Sequence, residues 1–198
     1  MKDGTTMNEK PKKGQLKILP GKRIPPIVCI IGNSGTGKTT LVENLIPELK
    51  GRGLRMGTIK HDVHGFEMDK PGKDSWRHKQ AGATATIISS PHQIGMVMDV
   101  DHEHSLDELA HFFPGVDIIL VEGYKRAKRP KIEIFRPELR KEPLCKDDDF
   151  LVALISDALV DLGVPRFSRD NIQGLADFLI IHFNLAQSIS PEHREAAS

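Results

Sequence analysis

Near the amino end, an apolar run leads into a glycine-rich turn that constrains everything after it. Ile27-Val-Cys-Ile-Ile-Gly-Asn-Ser-Gly-Thr-Gly-Lys-Thr-Thr-Leu41 fits G-x-x-x-x-G-K-[ST], with Gly32, Gly37, Lys38 and Thr39 at the fixed positions. Glycines in such a turn let successive backbone N–H groups curl around phosphate, the lysine reaches the terminal phosphate oxygens, and the threonine hydroxyl can ligate magnesium. The helix that follows directs the positive end of its dipole at the same anion. Val28 to Ile31 reads as a buried strand, and Leu41, Val42, Leu45, Ile46 and Leu49 fall on one helical face, which is the strand-loop-helix context the motif requires. A nucleoside triphosphate is therefore the expected ligand. Asn33, Ser34, Gly35 and Thr36 complete the phosphate-facing turn, with Thr40 beside Thr39.

The remaining pattern alternates strands and helices. Leu54 to Lys60 reads as a second strand after a Gly51/Gly53 turn, while Pro47 predicts a kink in the first helix or an early end to it. Asp74-Ser75 suits the cap of a short helix ending near Gly82, and Ala83 to Ser89 and Ile94 to Val100 are strand candidates on either side of a turn at Pro91. Ser105 to Phe113 reads as a helix stopped by Pro114-Gly115. Val116 to Gly123 and Leu151 to Ile155 are nearly continuous apolar runs, the mark of strands buried on both faces in a parallel sheet. Ile172, Leu175, Ala176, Leu179 and Phe183 give a closing amphipathic helix with Asp170 or Asn171 as cap. The expected class is α/β, a three-layer P-loop NTPase fold with a mostly parallel central sheet and its ligand at the carboxyl ends of the strands.

With 198 residues, 38% hydrophobic and 28% charged, the chain suits one sizeable globular domain with tails. The expected division is a disordered basic arm over 1–23, a nucleotide-binding domain over 24–186 and a mobile tail over 187–198. A net charge of +1 argues against nucleic acid and an acidic membrane surface as partners. The absence of an apolar targeting segment, or of any run approaching the ~18 apolar residues of a membrane span, points to a cytoplasmic protein. Cys29 and Cys145 have no partner spacing for zinc or a redox pair and read as reduced and structural. The Asp101-His102-Glu103-His104 cluster reads as a solvated loop rather than a metal site.

An acid is expected near the phosphates, to hold magnesium or orient water. Asp117 begins an apolar strand and Glu122 ends it, so Glu122 is favoured at the ligand side and Asp117 reads as a turn residue. Lys38 and Glu122 are the candidate catalytic residues, and Thr39 and Glu122 the candidate magnesium ligands. The stretch Lys60 to Ser75 is the next densest concentration of ionisable groups and starts on the ligand side of the sheet. Ser156-Asp157, after a buried strand, reads either as a base-reading pair or as a strand-end turn.

Taken together, the phosphate loop, Lys60-His61…His64 leading to Asp69-Lys-Pro-Gly-Lys-Asp-Ser-Trp-Arg-His78 and Ala81-Gly-Ala83, then Leu120-Val-Glu-Gly-Tyr-Lys125 and Pro130-Lys-Ile-Glu133, resemble the MobB family of molybdopterin-guanine dinucleotide biosynthesis adapters. The resemblance runs from about Ile27 to Phe183. It implies a GTP-binding homodimer with at most weak magnesium-dependent GTPase activity. The protein would assist a MobA-type guanylyltransferase that joins GMP to molybdopterin or its molybdenum form. It also implies that Lys60, His61, His64, Asp74 and Ser75 line a shared pocket. Guanine preference follows from the resemblance alone, because the Asn-Lys-x-Asp element of many GTPases is missing. The alternative is a small-molecule kinase on the same loop, with Asp69 or Asp74 as base and Arg126, Arg129, Arg136 and Arg140 over the phosphates.

Overall fold

A computed structural model describes residues 24–188. The expected arm at 1–23 and residues 189–198 of the expected tail lie outside that range. The described chain divides into two compact units, a larger one of residues 24–63 and 106–188 and a smaller one of residues 64–105.

The larger unit is built on a parallel sheet. Its strands are β1 (Ile27–Ile31), β2 (Met56–Lys60), β5 (Ile118–Glu122), β6 (Lys131–Ile134), β7 (Leu151–Ile155) and β8 (Arg166–Phe167), in the spatial order β2-β5-β1-β6-β7-β8. Every pairing is parallel, and β1 lies between β5 and β6 with Val28 opposite Leu120 and Ile30 opposite Ile132. Parallel strands need crossovers, and helices on both faces account for the apolar runs that lack alternation. Helices α1 (Lys38–Gly51) and α4 (Ile172–His182) cover one face, burying Leu41, Leu45, Leu49, Leu175 and Leu179 against Val28, Ile30, Leu120 and Ile132. The short helix α3 (Leu106–Ala110) and the segment around Cys145 cover the other, against Cys29, Ile31, Ile119 and Val121. The expected α/β architecture is thus the one adopted.

Local chemistry sets the element ends. Helix α1 continues through Pro47 to Gly51, so the early end that Pro47 suggested does not occur. Asn171 caps α4, its side chain accepting from the Gly174 N–H at 2.9 Å. Strand β6 holds two buried charged residues, each answered: Lys131 Nζ donates to Asp148 at 2.8 Å, and Glu133 accepts from the backbone N–H groups of Leu144 and Cys145 at 2.6 and 2.8 Å. The Ile132–Phe135 segment is core, because β6 is internal between β1 and β7.

The smaller unit contains α2 (Asp74–Gln80) and an antiparallel hairpin of β3 (Ala85–Ser89) and β4 (Ile94–Met98). Lys73 is the cap residue of α2 and Asp74 lies inside its first turn, so the cap falls one position earlier than the Asp74-Ser75 that the sequence suggested. Lys79 ties helix to hairpin, donating to the Ala83 carbonyl at 2.8 Å and to Asp99 at 2.6 Å.

Candidate functional site

The turn joining β1 to α1 lies at the carboxyl edge of the sheet. Gly35 and Gly37 adopt φ of +75° and +98°, in the left-handed region that side chains disfavour. At Gly32 the constraint is space: a Cβ there would lie 2.6 Å from Thr36 Oγ1 and 2.8 Å from the Ile134 carbonyl oxygen. The Asn33 carbonyl organises the turn, accepting from Thr36 Oγ1 at 2.9 Å and from Lys38 Nζ at 2.9 Å, with a longer Lys38 contact of 3.3 Å to the Gly32 carbonyl. The Lys38 ammonium is thereby folded back over the loop. Its pKa is lowered, chiefly by burial; Lys125 and Lys60 nearby add to the effect and Glu122 opposes it. A cation held in this way at a helix start is stabilised by an arriving anion.

Beside the loop, the Thr39 hydroxyl donates to both carboxylate oxygens of Glu122, at 3.1 and 3.0 Å. Glu122 is the last residue of β5, and its strand delivers it to the loop because β5 is the immediate neighbour of β1. Asp117, at the other end, accepts from the Arg55 N–H at 2.7 Å and serves the strand entrance as expected of a turn residue.

Beyond Glu122 the backbone turns sharply. Gly123 has φ of +108° and Tyr124 has φ of +53°, two successive left-handed residues of which the second carries a large side chain. The Gly123 N–H donates to the Ile30 carbonyl at 3.1 Å, and the His61 N–H to the Glu122 carbonyl at 3.0 Å, knitting the ends of β1, β5 and β2. His61 stacks on Tyr124 with ring centroids 4.3 Å apart. Tyr124 was not singled out by its sequence position. The signal was the Glu-Gly-Tyr triplet, because a glycine followed by a bulky residue at a strand end is where left-handed backbone is stored.

Of the sequence-derived candidates, Gly32, Asn33, Ser34, Gly35, Thr36, Gly37, Lys38, Thr39, Thr40, Glu122, Lys60 and His61 all lie in the larger unit, at the β1–α1 turn and the carboxyl ends of β5 and β2. His64, Asp74 and Ser75 belong to the smaller unit. There, Asp74 and Ser75 line a groove of about 690 Å³ together with Lys70, Lys73, His78 and Thr86. The Thr86 hydroxyl is buried without a hydrogen-bond partner.

Comparison with known proteins identifies the family. Residues 27–157 match the family model described as "MobB: Molybdopterin guanine dinucleotide synthesis protein B". The chain is 39% identical over 168 residues to the molybdopterin-guanine dinucleotide biosynthesis adapter protein of Escherichia coli (strain K12), covering 81% of this chain and 94% of that one. It is 38% identical over 167 residues to the protein of the same description from Haemophilus influenzae, covering 82% and 93% respectively. The crystal structure of Bacillus subtilis MobB superposes with a TM-score of 0.65 at 28% identity, covering 80% of this chain and 98% of that one. A family match that covers about two thirds of the chain, in which the phosphate loop, the Glu122 turn and the Lys60 to Ser75 stretch all fall, places this chain in the MobB family of molybdopterin guanine dinucleotide synthesis proteins.

Proposed function

We propose that this protein is a GTP-binding adapter that assists a MobA-type guanylyltransferase in attaching GMP to molybdopterin or its molybdenum form, with at most weak GTPase activity. The observation that carries this reading is the Lys38–loop and Thr39–Glu122 constellation at the carboxyl edge of a parallel sheet, in a chain whose relatives are adapters of this biosynthesis. Gly32 to Thr40 wrap the phosphates of GTP, and Lys38 leaves its carbonyl partners for the phosphate oxygens.

Magnesium fits the donor set. The Thr39 hydroxyl and Glu122 carboxylate present hard oxygens 3.0 Å apart, and adjacent vertices of an oxygen octahedron of radius about 2.1 Å are roughly 3.0 Å apart. Thr39 and Glu122 would hold the ion, and bound there it would neutralise phosphate charge. Glu122 also stands where an attacking water would be oriented, and Lys38 where charge builds on the transferred phosphoryl group.

Lys60, His61 and the His61–Tyr124 stack line the terminal-phosphate side, so the chain that follows β2 is the segment whose conformation responds to the nucleotide. In the smaller unit, the groove bearing Lys70, Lys73, Asp74 and Ser75 suits an anionic, heteroatom-rich ligand such as molybdopterin. The exposed Ile87, Ile94 and Met96 on one face of the β3–β4 hairpin support a homodimer. No helix among the described residues is long and apolar enough to cross a membrane, in keeping with a cytoplasmic partner enzyme.

The test is reconstitution of molybdopterin guanine dinucleotide synthesis with a MobA-type guanylyltransferase, with and without this protein. Dinucleotide yield should rise on addition of wild-type protein and not on addition of Lys38→Ala. Equal yields in all three reactions would contradict the assignment.

A further inference from the structure

Three neighbouring strands of the larger unit each deliver a charged residue to the same edge of the sheet. Arg136 follows β6, Asp157 follows β7 and Arg169 follows β8. Asp157 is fixed by Arg169. Its Oδ2 accepts from Arg169 Nε at 2.5 Å, and its Oδ1 accepts from the Arg169 backbone N–H at 3.1 Å. The turn beneath is equally constrained. Ser156 is fully buried; its N–H donates to the Phe167 carbonyl at 2.9 Å, its carbonyl accepts from Arg166 Nη1 at 3.0 Å, and its hydroxyl accepts from the Ala158 N–H at 3.2 Å. A carboxylate that is still 50% exposed is thus held in one orientation on a rigid strand end.

The direction in which a bound nucleotide runs follows from the other contacts. Thr39 and Glu122 place the metal-bearing terminal phosphates on the β5 side of β1. A nucleotide that runs from there away from the Thr39–Glu122 side passes over the ends of β6 and β7. With strands about 4.8 Å apart, the end of β7 lies roughly 10 Å from that of β1, a span that takes up the inner phosphate and ribose and brings the base to Asp157.

The chemistry there selects one purine. Guanine presents two adjacent donors, its ring N1–H and its exocyclic amine, and a carboxylate with two oxygens accepts both. Arg169 uses one site on each Asp157 oxygen, and an ionised carboxylate has about four such sites, so two remain. Adenine would set its N1 lone pair against the carboxylate.

We propose that Asp157, oriented by Arg169 as a positioning residue, reads the guanine base and sets the nucleotide specificity of this protein. This deepens the GTP-binding reading and rests on it.

An Asp157→Asn variant separates base reading from a structural turn. The asparagine amide opposes a donor to the guanine amine, but it complements xanthine, which carries a carbonyl in that position. Titration of wild type and variant with GTP, xanthosine triphosphate and ATP in magnesium buffer should show GTP affinity falling on the order of ten- to a hundredfold in the variant. Xanthosine triphosphate affinity should rise by a comparable factor. Arg169→Ala should weaken GTP binding without any gain for xanthosine triphosphate. Unchanged GTP affinity in Asp157→Asn, or its loss with no gain for xanthosine triphosphate in a variant that melts like wild type, overturns the inference. In either case, GTP binding that still requires Lys38 leaves the adapter reading standing. A wild-type protein that binds no nucleotide would overturn that reading itself.

Discussion

Thr39 and Glu122 are 83 positions apart in sequence, yet the hydroxyl of one donates to both carboxylate oxygens of the other. The contact exists because β5 pairs directly with β1 in parallel and ends level with the start of the phosphate loop. It holds the acid and the loop together before any ligand arrives. Such pre-positioning removes part of the ordering cost of binding.

Breaking that pair should therefore show itself in magnesium dependence. Glu122→Gln and Thr39→Val are each expected to weaken magnesium-supported GTP binding on the order of ten- to a hundredfold. Affinity measured in excess chelator should change far less. Equal losses with and without magnesium would place the pair outside the metal site.

Lys38 should cost the empty protein stability. Its folded pKa lies below the ordinary lysine value because burial disfavours the ammonium. Between the folded and unfolded values the unfolded chain binds more protons, so the penalty is fully present at neutral pH and is relieved as pH rises through that window. Lys38→Met, which removes the charge and keeps the stem, is expected to melt above wild type without nucleotide and to gain nothing when GTP is added. A thermal shift series with and without GTP checks both halves.

The two thiols should be silent. Cys29 and Cys145 are free and buried, and burial pushes their pKa up to about 11 and about 12. Neither is expected to react with a disulfide reagent at pH 8 in the native state, and both should react once the chain is unfolded in denaturant. Rapid reaction of the native protein would contradict the packing described on the α3 side of the sheet.

Much of this architecture was legible beforehand, and the exceptions share a cause. The β1–loop–α1 unit, the β5 and β7 runs and the placing of Glu122 over Asp117 are written in local pattern: glycines at fixed spacing, and apolar runs too continuous for a one-sided sheet. Strand β6 is not among the strands read from the sequence because Lys131 and Glu133 interrupt its apolar pattern, and their burial is tolerated only through Asp148 and the 144–145 backbone, more than ten residues on. The early end that Pro47 allowed does not occur because a proline in a helix already anchored by Leu41, Leu45 and Leu49 is outweighed by tertiary burial. The two-residue β8 offers no periodicity at all. Nor could spacing foresee the His61–Tyr124 stack, which depends on the left-handed turn at Gly123.

That turn makes its own prediction. A Cβ at Gly123 would lie 3.0 Å from His61 Cβ on backbone that side chains rarely adopt. Gly123→Ala is expected to cost about 1–3 kcal/mol in chemical denaturation and to displace His61 from Tyr124. A variant as stable as wild type, with the stack intact, would show that the turn relaxes freely.

The central claim is tested most directly by calorimetric titration of the purified protein with GTP and with ATP in magnesium buffer, alongside Lys38→Ala. Saturable binding that favours GTP and disappears in the variant is the expected result. Binding that favours ATP, or that survives loss of the Lys38 ammonium, would contradict it.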